Sequence, residues 1–198
     1  SSSKSQTQEA AKYPHRFGEI RHQNSSYTIA VPRVSSENRE YLPVGLVKGG
    51  TIIGDRNFAL YDAPLWNMAV IASRLHWVWI GTVCVRMRTD FSYSNTLGWN
   101  TFPVPKLIEK NKEDLTRCAE DILLAREAHF PATIADLYDP EKMPADLRHA
   151  HERNDEVLER IYIGRCFKND TERLEKLFEL YTKMTSPDKK TSNNKKVS

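Results

Sequence analysis

Two arginines with one residue between them, Arg86 and Arg88, are the strongest candidates for chemistry in this sequence. The segment around them, residues 77–89, is rich in β-branched and aromatic residues, which predicts a strand. Because side chains alternate between the faces of a strand, Val85 and Met87 are predicted to face the core and both arginines the opposite side, about 7 Å apart. Phosphates or guanine edges would offset the repulsion between the two guanidinium groups. A solvated strand face paired with nearby acidic residues is the alternative explanation.

A second candidate is the loop at residues 32–39, which combines two arginines, Arg33 and Arg39, with the hydroxyl residues Ser35 and Ser36. This mixture suits contact with phosphates, because hydroxyl and backbone N–H groups fix the position of the phosphate while arginine neutralises its charge. The alternative is that one of the two serines only caps a short turn.

An aromatic and amide-rich connector follows, from Tyr93 to Pro105. Its aromatic rings are predicted to pack between two subdomains. Stacking of a ring on a nucleic-acid base is the less favoured use.

Motifs of catalytic or cofactor-binding sites are missing from the sequence: it contains no glycine-rich nucleotide loop, no nucleophile elbow and no zinc-protease helix. His149 and His151 are two residues apart, so on a helix they point to different sides and do not share a metal ion. Asp136, Asp139 and Glu141 are predicted to cap helices and turns. We therefore expect neither a catalytic nor a metal site in this chain.

The composition, with 198 residues, 39% hydrophobic and 28% charged, excludes collagen-like, mucin-like and fully disordered proteins. No apolar run approaches the roughly 18–20 residues of a membrane helix, so no membrane association is predicted.

Residues 1–15 lack the apolar core of a signal peptide and are interpreted as a linker or an artificial chain edge. Three cysteines fit neither a disulfide framework nor a zinc site, which favours a reducing cytoplasm.

The charge is divided unevenly along the chain. Residues 1–105 contain 11 basic and 7 acidic residues, and residues 106–185 contain 14 basic and 18 acidic ones. Eight of the 11 basic residues in the first part are arginines, whose planar fork suits phosphates and guanine edges. The first half of the chain is therefore predicted to have a polyanionic partner, with ordinary scatter of charge as the alternative.

The sequence predicts an α+β fold, with a small mixed α/β unit at residues 16–105 followed by a three-helix segment at residues 106–185 and a disordered tail at residues 186–198. In the first unit, short apolar runs broken by turn signals predict strands at 27–31, 41–46, 51–53, 58–61 and 77–89, and a helix at 64–75.

Two prolines, Pro103 and Pro105, mark the predicted boundary between the two segments, because neither fits inside a helix. Beyond them the apolar period changes to 3.6 residues and predicts three helices. The first ends near His129, the second has Pro144 near its start, and the third opens at Asn169, whose spacing to a glutamate three residues on is typical of a capping box.

Several motifs resemble the end of the DNA target-recognition domain of the MmeI-like restriction–modification enzymes, large single chains that fuse a nuclease, an adenine-N6 methyltransferase and a specificity domain. These motifs lie at residues 29–37, 39–43, 73–77, 86–90, 93–95 and 99–105. The likeness continues through the C-terminal helical segment of the same family, at residues 125–128, 135–140, 143–144, 147–151 and 178–181.

The resemblance implies that the chain is a specificity module with its helical support, taken from a longer adenine-N6 methyltransferase. Double-stranded DNA and the methyltransferase domain of the same parent chain are then the expected partners. The chain lacks the family's S-adenosylmethionine loop and Asn-Pro-Pro-Tyr tetrad, so S-adenosylmethionine, and Mg²⁺ for any nuclease, would belong to the parent enzyme. Ser92 departs from the family pattern, where a basic residue is expected.

Charge and resemblance together suggest roles for individual residues. Arg86 and Arg88 are the candidate base readers, and the candidates for phosphate contact or positioning are Arg33, Ser35, Arg39, Arg56 and Tyr93. Two other hypotheses stay open: a protein-interaction scaffold whose helices dock a partner subunit, and an autonomous enzyme.

Overall fold

The computed structural model describes Gln8, residues 11–13 and residues 24–186 of the chain. The predicted linker at residues 1–15 lies largely outside these residues, as does the predicted tail beyond Ser186. Within the described part, six short strands in the first half and helices in the second make the predicted α+β fold.

The first sheet contains three antiparallel strands in the order β3-β1-β4, with β1 (Tyr27–Pro32) between β3 (Gly45–Lys48) and β4 (Asn57–Tyr61). The predictions at 27–31 and 58–61 are confirmed. The prediction at 41–46 is wrong except for its last two residues, because Tyr41 to Val44 are buried in irregular structure. The predicted strand at 51–53 is wrong as well, because β4 pairs with β1 instead.

The second sheet is smaller, with β2 (Val34–Ser36), β6 (Asp90–Ser92) and β5 (Arg86–Met87) in the antiparallel order β2-β6-β5. The residue between β1 and β2, Arg33, connects this sheet to the first one. Its backbone N–H donates to the carbonyl of Arg56, 2.9 Å away, and its carbonyl accepts from the N–H of Tyr93 at 2.8 Å. The two sheets are therefore held at a defined junction.

Two helices lie between β4 and β5 in the sequence, α1 (Trp66–Ile71) and α2 (Arg74–Val83). The helix predicted at 64–75 is confirmed over Trp66–Ile71 but is interrupted at Ala72 and Ser73. The long strand predicted at 77–89 is wrong except for Arg86–Met87, because α2 continues as far as Val83. Ser73 ends the first helix and caps the second, because its side chain accepts from the N–H of His76. The run from Trp77 to Ile80 is apolar on every side, and periodicity alone does not distinguish a buried helix from a buried strand in such a run.

The C-terminal half contains the three predicted helices, α3 (Glu109–Glu127), α5 (Ala145–Ile163) and α6 (Asp170–Thr185), and one additional helical turn, α4 (Ile134–Leu137). Asn169 caps α6 as predicted, with its side-chain oxygen 3.0 Å from the N–H of Glu172. Gly164 ends α5 in the left-handed conformation, at φ +79°, which glycine adopts without steric cost.

Both halves contribute to one hydrophobic core, in which α1 packs on α3 and α2 packs on α6. Buried hydrogen bonds cross between the halves: Tyr162 donates to the carbonyl of Pro103 at 2.9 Å, and Asn154 donates to the carbonyl of Ala69 at 2.9 Å. The predicted division at residue 105 lies in the extended stretch before α3 and stays a prediction. None of the helices in the described part of the chain has the length and apolar character of a membrane span.

Candidate nucleic-acid interface

Arg86 and Arg88 lie in a tight β5–β6 hairpin rather than along one strand. Arg86 is on β5, and Arg88 adopts the left-handed conformation, at φ +60°, in the turn before β6. Their predicted arrangement side by side on one strand face is therefore wrong. Val85 and Met87, which were expected in the core, are 68% and 57% exposed. The reason is that α2 extends to Val83 and leaves only two residues for β5.

The register of the second sheet assigns its residues to two faces. Arg86, Phe91 and Ser35 are directly paired across the three strands and share the face whose middle residue, Phe91, is buried. The other face is turned to solvent and consists of Val34, Ser36, Met87, Asp90 and Ser92. Sequence reasoning missed this solvent-facing set, because it assigned the arginines to the outer side of the strand.

Two contacts restrain the guanidinium group of Arg86. It lies 4.9 Å from the centre of the Phe91 ring, a cation–π contact, and it forms an ion pair with Glu37. Glu37 follows β2 directly, so the Arg86 side chain crosses β6 to reach it. The one signal for this partner in the sequence is that Glu37 is the only acidic residue between Arg33 and Arg39.

Arg33 and Arg56 are brought together at the junction of the two sheets, although 22 residues separate them in the chain. Both residues are exposed. The Arg33 side chain donates to the carbonyl of Asp55 at 3.0 Å, and its guanidinium lies 5.1 Å from the centre of the Phe58 ring. Nothing local in the sequence indicates this pairing, because it depends on β4 lying beside β1.

Ser35 and Tyr93 are buried, with 3% and 5% of their surface exposed. The Tyr93 hydroxyl lies 3.1 Å from Nε2 of His76, and burial raises the pKa of this phenol above its usual value. Burial also lowers the pKa of His76 to about 3, so the ring is neutral. Direct phosphate contact by Ser35 or Tyr93 is therefore not possible in this conformation. A positioning role remains open to both residues.

Arg39 lies beside the C-terminal segment. It is half-buried in the turn after β2, where its N–H donates to the carbonyl of Ser36 at 3.2 Å. The cleft that it lines is bordered on the other side by Asp139 and Glu141 from the C-terminal segment. Two acidic residues thus line the same cleft as the basic residue that was predicted to hold a phosphate.

The acidic residues near α4 act as caps, as predicted for Asp136 and Asp139. Asp136 and Thr133 form a reciprocal capping box, and hydrogen bonds from Thr133 lower the pKa of the Asp136 carboxyl. Asp139 accepts from the N–H of Glu141 at 3.0 Å. His149 is exposed whereas His151 is fully buried, so the two histidines point to different sides of α5. Among the described residues, no three acidic, histidine or cysteine side chains are arranged to hold a metal ion.

Similarity to known proteins extends over nearly the whole chain. The family model "MmeI, target recognition domain" matches residues 1–106, and the model "MmeI, C-terminal domain" matches residues 107–187. DNA methyltransferase A of Bacillus subtilis (strain 168) is 40% identical over 179 residues, which is 90% of this chain and 20% of that protein.

A solved structure shows the same likeness in three dimensions. The type IIL restriction-modification enzyme MmeI, in complex with DNA, matches with a TM-score of 0.87 and 31% identity, over 94% of this chain and 25% of the MmeI chain. The chain thus spans a fifth of the curated relative and a quarter of the solved one.

Proposed function

The chain belongs to the MmeI family, as a target recognition domain followed by a C-terminal domain, and on this premise we propose that it recognises a specific sequence of duplex DNA. The parent protein is proposed to be an adenine-N6 DNA methyltransferase of a restriction–modification system. The observation that carries the proposal is the likeness, at a TM-score of 0.87, to a protein solved in complex with DNA.

The arrangement of exposed arginines supports this proposal. Arg33 and Arg56 lie at the junction of the two sheets, while Arg86 and Arg88 lie on the β5–β6 hairpin, which belongs to the sheet that starts at this junction. Base edges in the major groove are read by bidentate arginine contacts, whereas contacts to phosphates fix the position of the protein on the duplex. We therefore assign base reading to the hairpin pair and phosphate contact to the junction pair.

The remaining candidates have supporting roles in this proposal. The backbone N–H of Tyr93 donates to the carbonyl of Arg33, so the buried phenol beneath it fixes the junction that presents Arg33. Ser35 is buried and is paired with Phe91, the residue whose ring Arg86 contacts from the other side of β6. Arg39, which lines a cleft with Asp139 and Glu141, would contact a phosphate at the border of the C-terminal segment.

The parent protein is proposed to supply the chemistry that this chain lacks. Its methyltransferase domain would bind S-adenosylmethionine and is the expected intramolecular partner of this chain, and any nuclease domain would use Mg²⁺. Recognition by this chain would then position an adenine for flipping into the methyltransferase site. The cytoplasm is the proposed location, since all three cysteines are free thiols.

The test uses the full-length protein that carries this chain and a library of random-sequence duplex DNA. Sequencing of the retained duplexes identifies the preferred site, and titrations with single base-pair substitutions measure the preference at each position. Arg86→Ala or Arg88→Ala should reduce the preference at particular base pairs by about 5-fold to 150-fold. Arg33→Ala should weaken binding to all duplexes alike and reduce the slope of log affinity against log salt concentration by about 1.

Arg117→Ala is the matched control, because Arg117 is an exposed arginine on α3, away from both sheets. It should change neither the preference nor the salt dependence. If the hairpin and junction variants behave identically on the preferred and scrambled duplexes, the assignment of readers is wrong. If the unmodified protein retains no duplex at low salt but forms a tight, salt-tolerant complex with a protein, the scaffold alternative replaces the proposal.

A further inference from the structure

Glu37 is a carboxylate in direct contact with a candidate base reader. Its Oε2 accepts from Nη1 of Arg86, which reaches across β6 from β5 and lies over the Phe91 ring. The contact therefore links the two outer strands of the second sheet through side chains alone. An acidic residue is unexpected in contact with a candidate base reader, because its charge would repel the phosphates of DNA.

The ion pair between Glu37 and Arg86 is poorly suited to stabilising the fold. Both side chains are partly exposed, at 32% and 52%, and solvent screens an attraction of this kind. Within the described residues, Glu37 supplies the single hydrogen-bond acceptor for this guanidinium, so its other N–H donors stay available. The pair and the Phe91 ring together restrict the direction of the guanidinium.

The restricted direction of the Arg86 guanidinium affects how this group recognises DNA. A free arginine side chain has many rotamers and reaches any nearby phosphate, which attracts every duplex alike. A bidentate contact with a base edge requires the plane of the guanidinium to be fixed, and residues that lock this plane improve discrimination. The charge of Glu37 also repels the backbone of all duplexes equally.

We propose that Glu37 is a positioning residue for base recognition, which fixes the guanidinium of Arg86 over Phe91. This contact raises the preference for the recognised sequence and lowers the affinity for DNA in general. This inference rests on the proposed function, and it concerns the same sheet. It adds a residue that lowers the affinity for unmatched DNA and raises the ratio of the affinities for matched and unmatched sites.

The test is Glu37→Gln in the full-length protein, with the random-sequence duplex library and the same single-substitution titrations. Glutamine keeps the size of the side chain and removes its charge. The affinity for unmatched duplexes should rise about threefold to tenfold, and the preference at the base pair read by Arg86 should fall about tenfold. Preferences at the other base pairs should stay unchanged. The double variant Glu37→Gln/Arg86→Ala should show the same preferences as Arg86→Ala, because Glu37 acts through Arg86.

Glu40→Gln is the matched control, since Glu40 is three residues away and pairs with Arg148 on α5 instead. It should leave all preferences unchanged. If Arg86→Ala changes one base preference and Glu37→Gln changes none, the role of Glu37 is disproved while the proposed function stands. If Arg86→Ala changes no preference, both the reader assignment and the role of Glu37 are wrong. Failure of the unmodified protein to retain any duplex overturns the proposed function itself.

Discussion

At the scale of single residues, the arginines proposed to meet DNA differ in how strongly the fold restrains them. Arg33 and Arg86 each lie over an aromatic ring and contact an oxygen atom, whereas the described residues offer no hydrogen bond, ion pair or ring contact to the side chains of Arg56 and Arg88. A restrained guanidinium loses little entropy when it meets a ligand of matching geometry. Of the two candidate base readers, we therefore expect the restrained Arg86 to contribute more to sequence preference than Arg88.

Asp155 on α5 has a shifted pKa, and its carboxyl is buried between the two halves of the chain. Burial raises its pKa to about 7, although the N–H of Arg74, 2.7 Å away, favours the charged form. Tyr41 donates to the same carboxyl, Glu159 repels its charge and Arg173 attracts it. In the unfolded chain the carboxyl titrates at its ordinary pKa of 3.8.

Asp155→Asn is predicted to change how stability depends on pH. An acid whose pKa is higher in the folded state destabilises that state as pH rises from about 4 to about 7, because the unfolded carboxyl loses its proton first. The free energy of unfolding of the variant, relative to the unmodified protein, should therefore rise by about 1.4 kcal/mol per pH unit across this window. Urea unfolding at pH 4.5, 5.5, 6.5 and 7.5 measures the change.

Asp146→Asn is a control variant, for which the change in the pH dependence of stability is expected in the opposite direction. The Asp146 carboxyl is exposed, and its contact with His129 lowers its pKa, so its contribution to stability is lost as pH falls. The variant should lose less stability on acidification than the unmodified protein. Equal slopes for Asp155→Asn and the unmodified protein would show that the Asp155 carboxyl has an ordinary pKa in the folded state.

At the scale of secondary-structure elements, Ser73 is the residue on which the division of the first half depends. Its hydroxyl donates to the carbonyl of Val70 at 2.7 Å and accepts from the N–H of His76 at 3.2 Å, and the residue is fully buried. One side chain thus ends α1 and starts α2. Without it, the N–H of His76 would be left unpaired in the interior, while the carbonyl of Val70 would keep only the N–H of Ser73 as a donor.

Ser73→Ala is predicted to lower the free energy of unfolding by about 1–2 kcal/mol, as expected for a lost helix cap in a buried position. Ser94→Ala removes a comparable cap from the short π-helical turn Asn95–Trp99, where the Ser94 oxygen lies 3.3 Å from the N–H of Leu97 at an exposed site. Its effect should be smaller, because water replaces the lost bond. Urea unfolding of both variants gives the comparison. A loss for Ser73→Ala no larger than that for Ser94→Ala would contradict the assigned role of Ser73.

How much was predictable from sequence differs between the elements. The three long C-terminal helices and the cap at Asn169 follow from local signals, namely a 3.6-residue period and a capping residue. The segment around α2 does not, because its apolar residues lie on all sides and only Ser73 indicates a helix start. The candidate arginines were predictable by residue type. Their grouping was not, because the pairing of Arg33 with Arg56, and of Arg86 with Glu37, depends on which strands lie side by side.

At the scale of the whole molecule, a buried network connects the basic first half to the acidic second half. Arg126 on α3 donates to the carbonyl of Val44 at 2.5 Å and to the hydroxyl of Tyr138 at 2.8 Å. The same hydroxyl lies 2.7 Å from Nε2 of His151, whose ring stacks on Tyr41 at 4.2 Å. These contacts hold the sheets in one orientation on the helices, so the C-terminal segment determines how the proposed DNA-binding surface is presented.

A shared core predicts that the two halves unfold together. All four tryptophans lie in the first half, at positions 66, 77, 79 and 99, whereas most of the helical residues lie in the second. Tryptophan fluorescence therefore reports on the first half and far-ultraviolet circular dichroism mainly on the second. In urea, residues 1–198 should show the same midpoint and the same slope by both measurements, as a cooperative unit does. Two separated transitions would show that the halves are independent domains joined by a weak interface, and that the helices do not determine the orientation of the arginines.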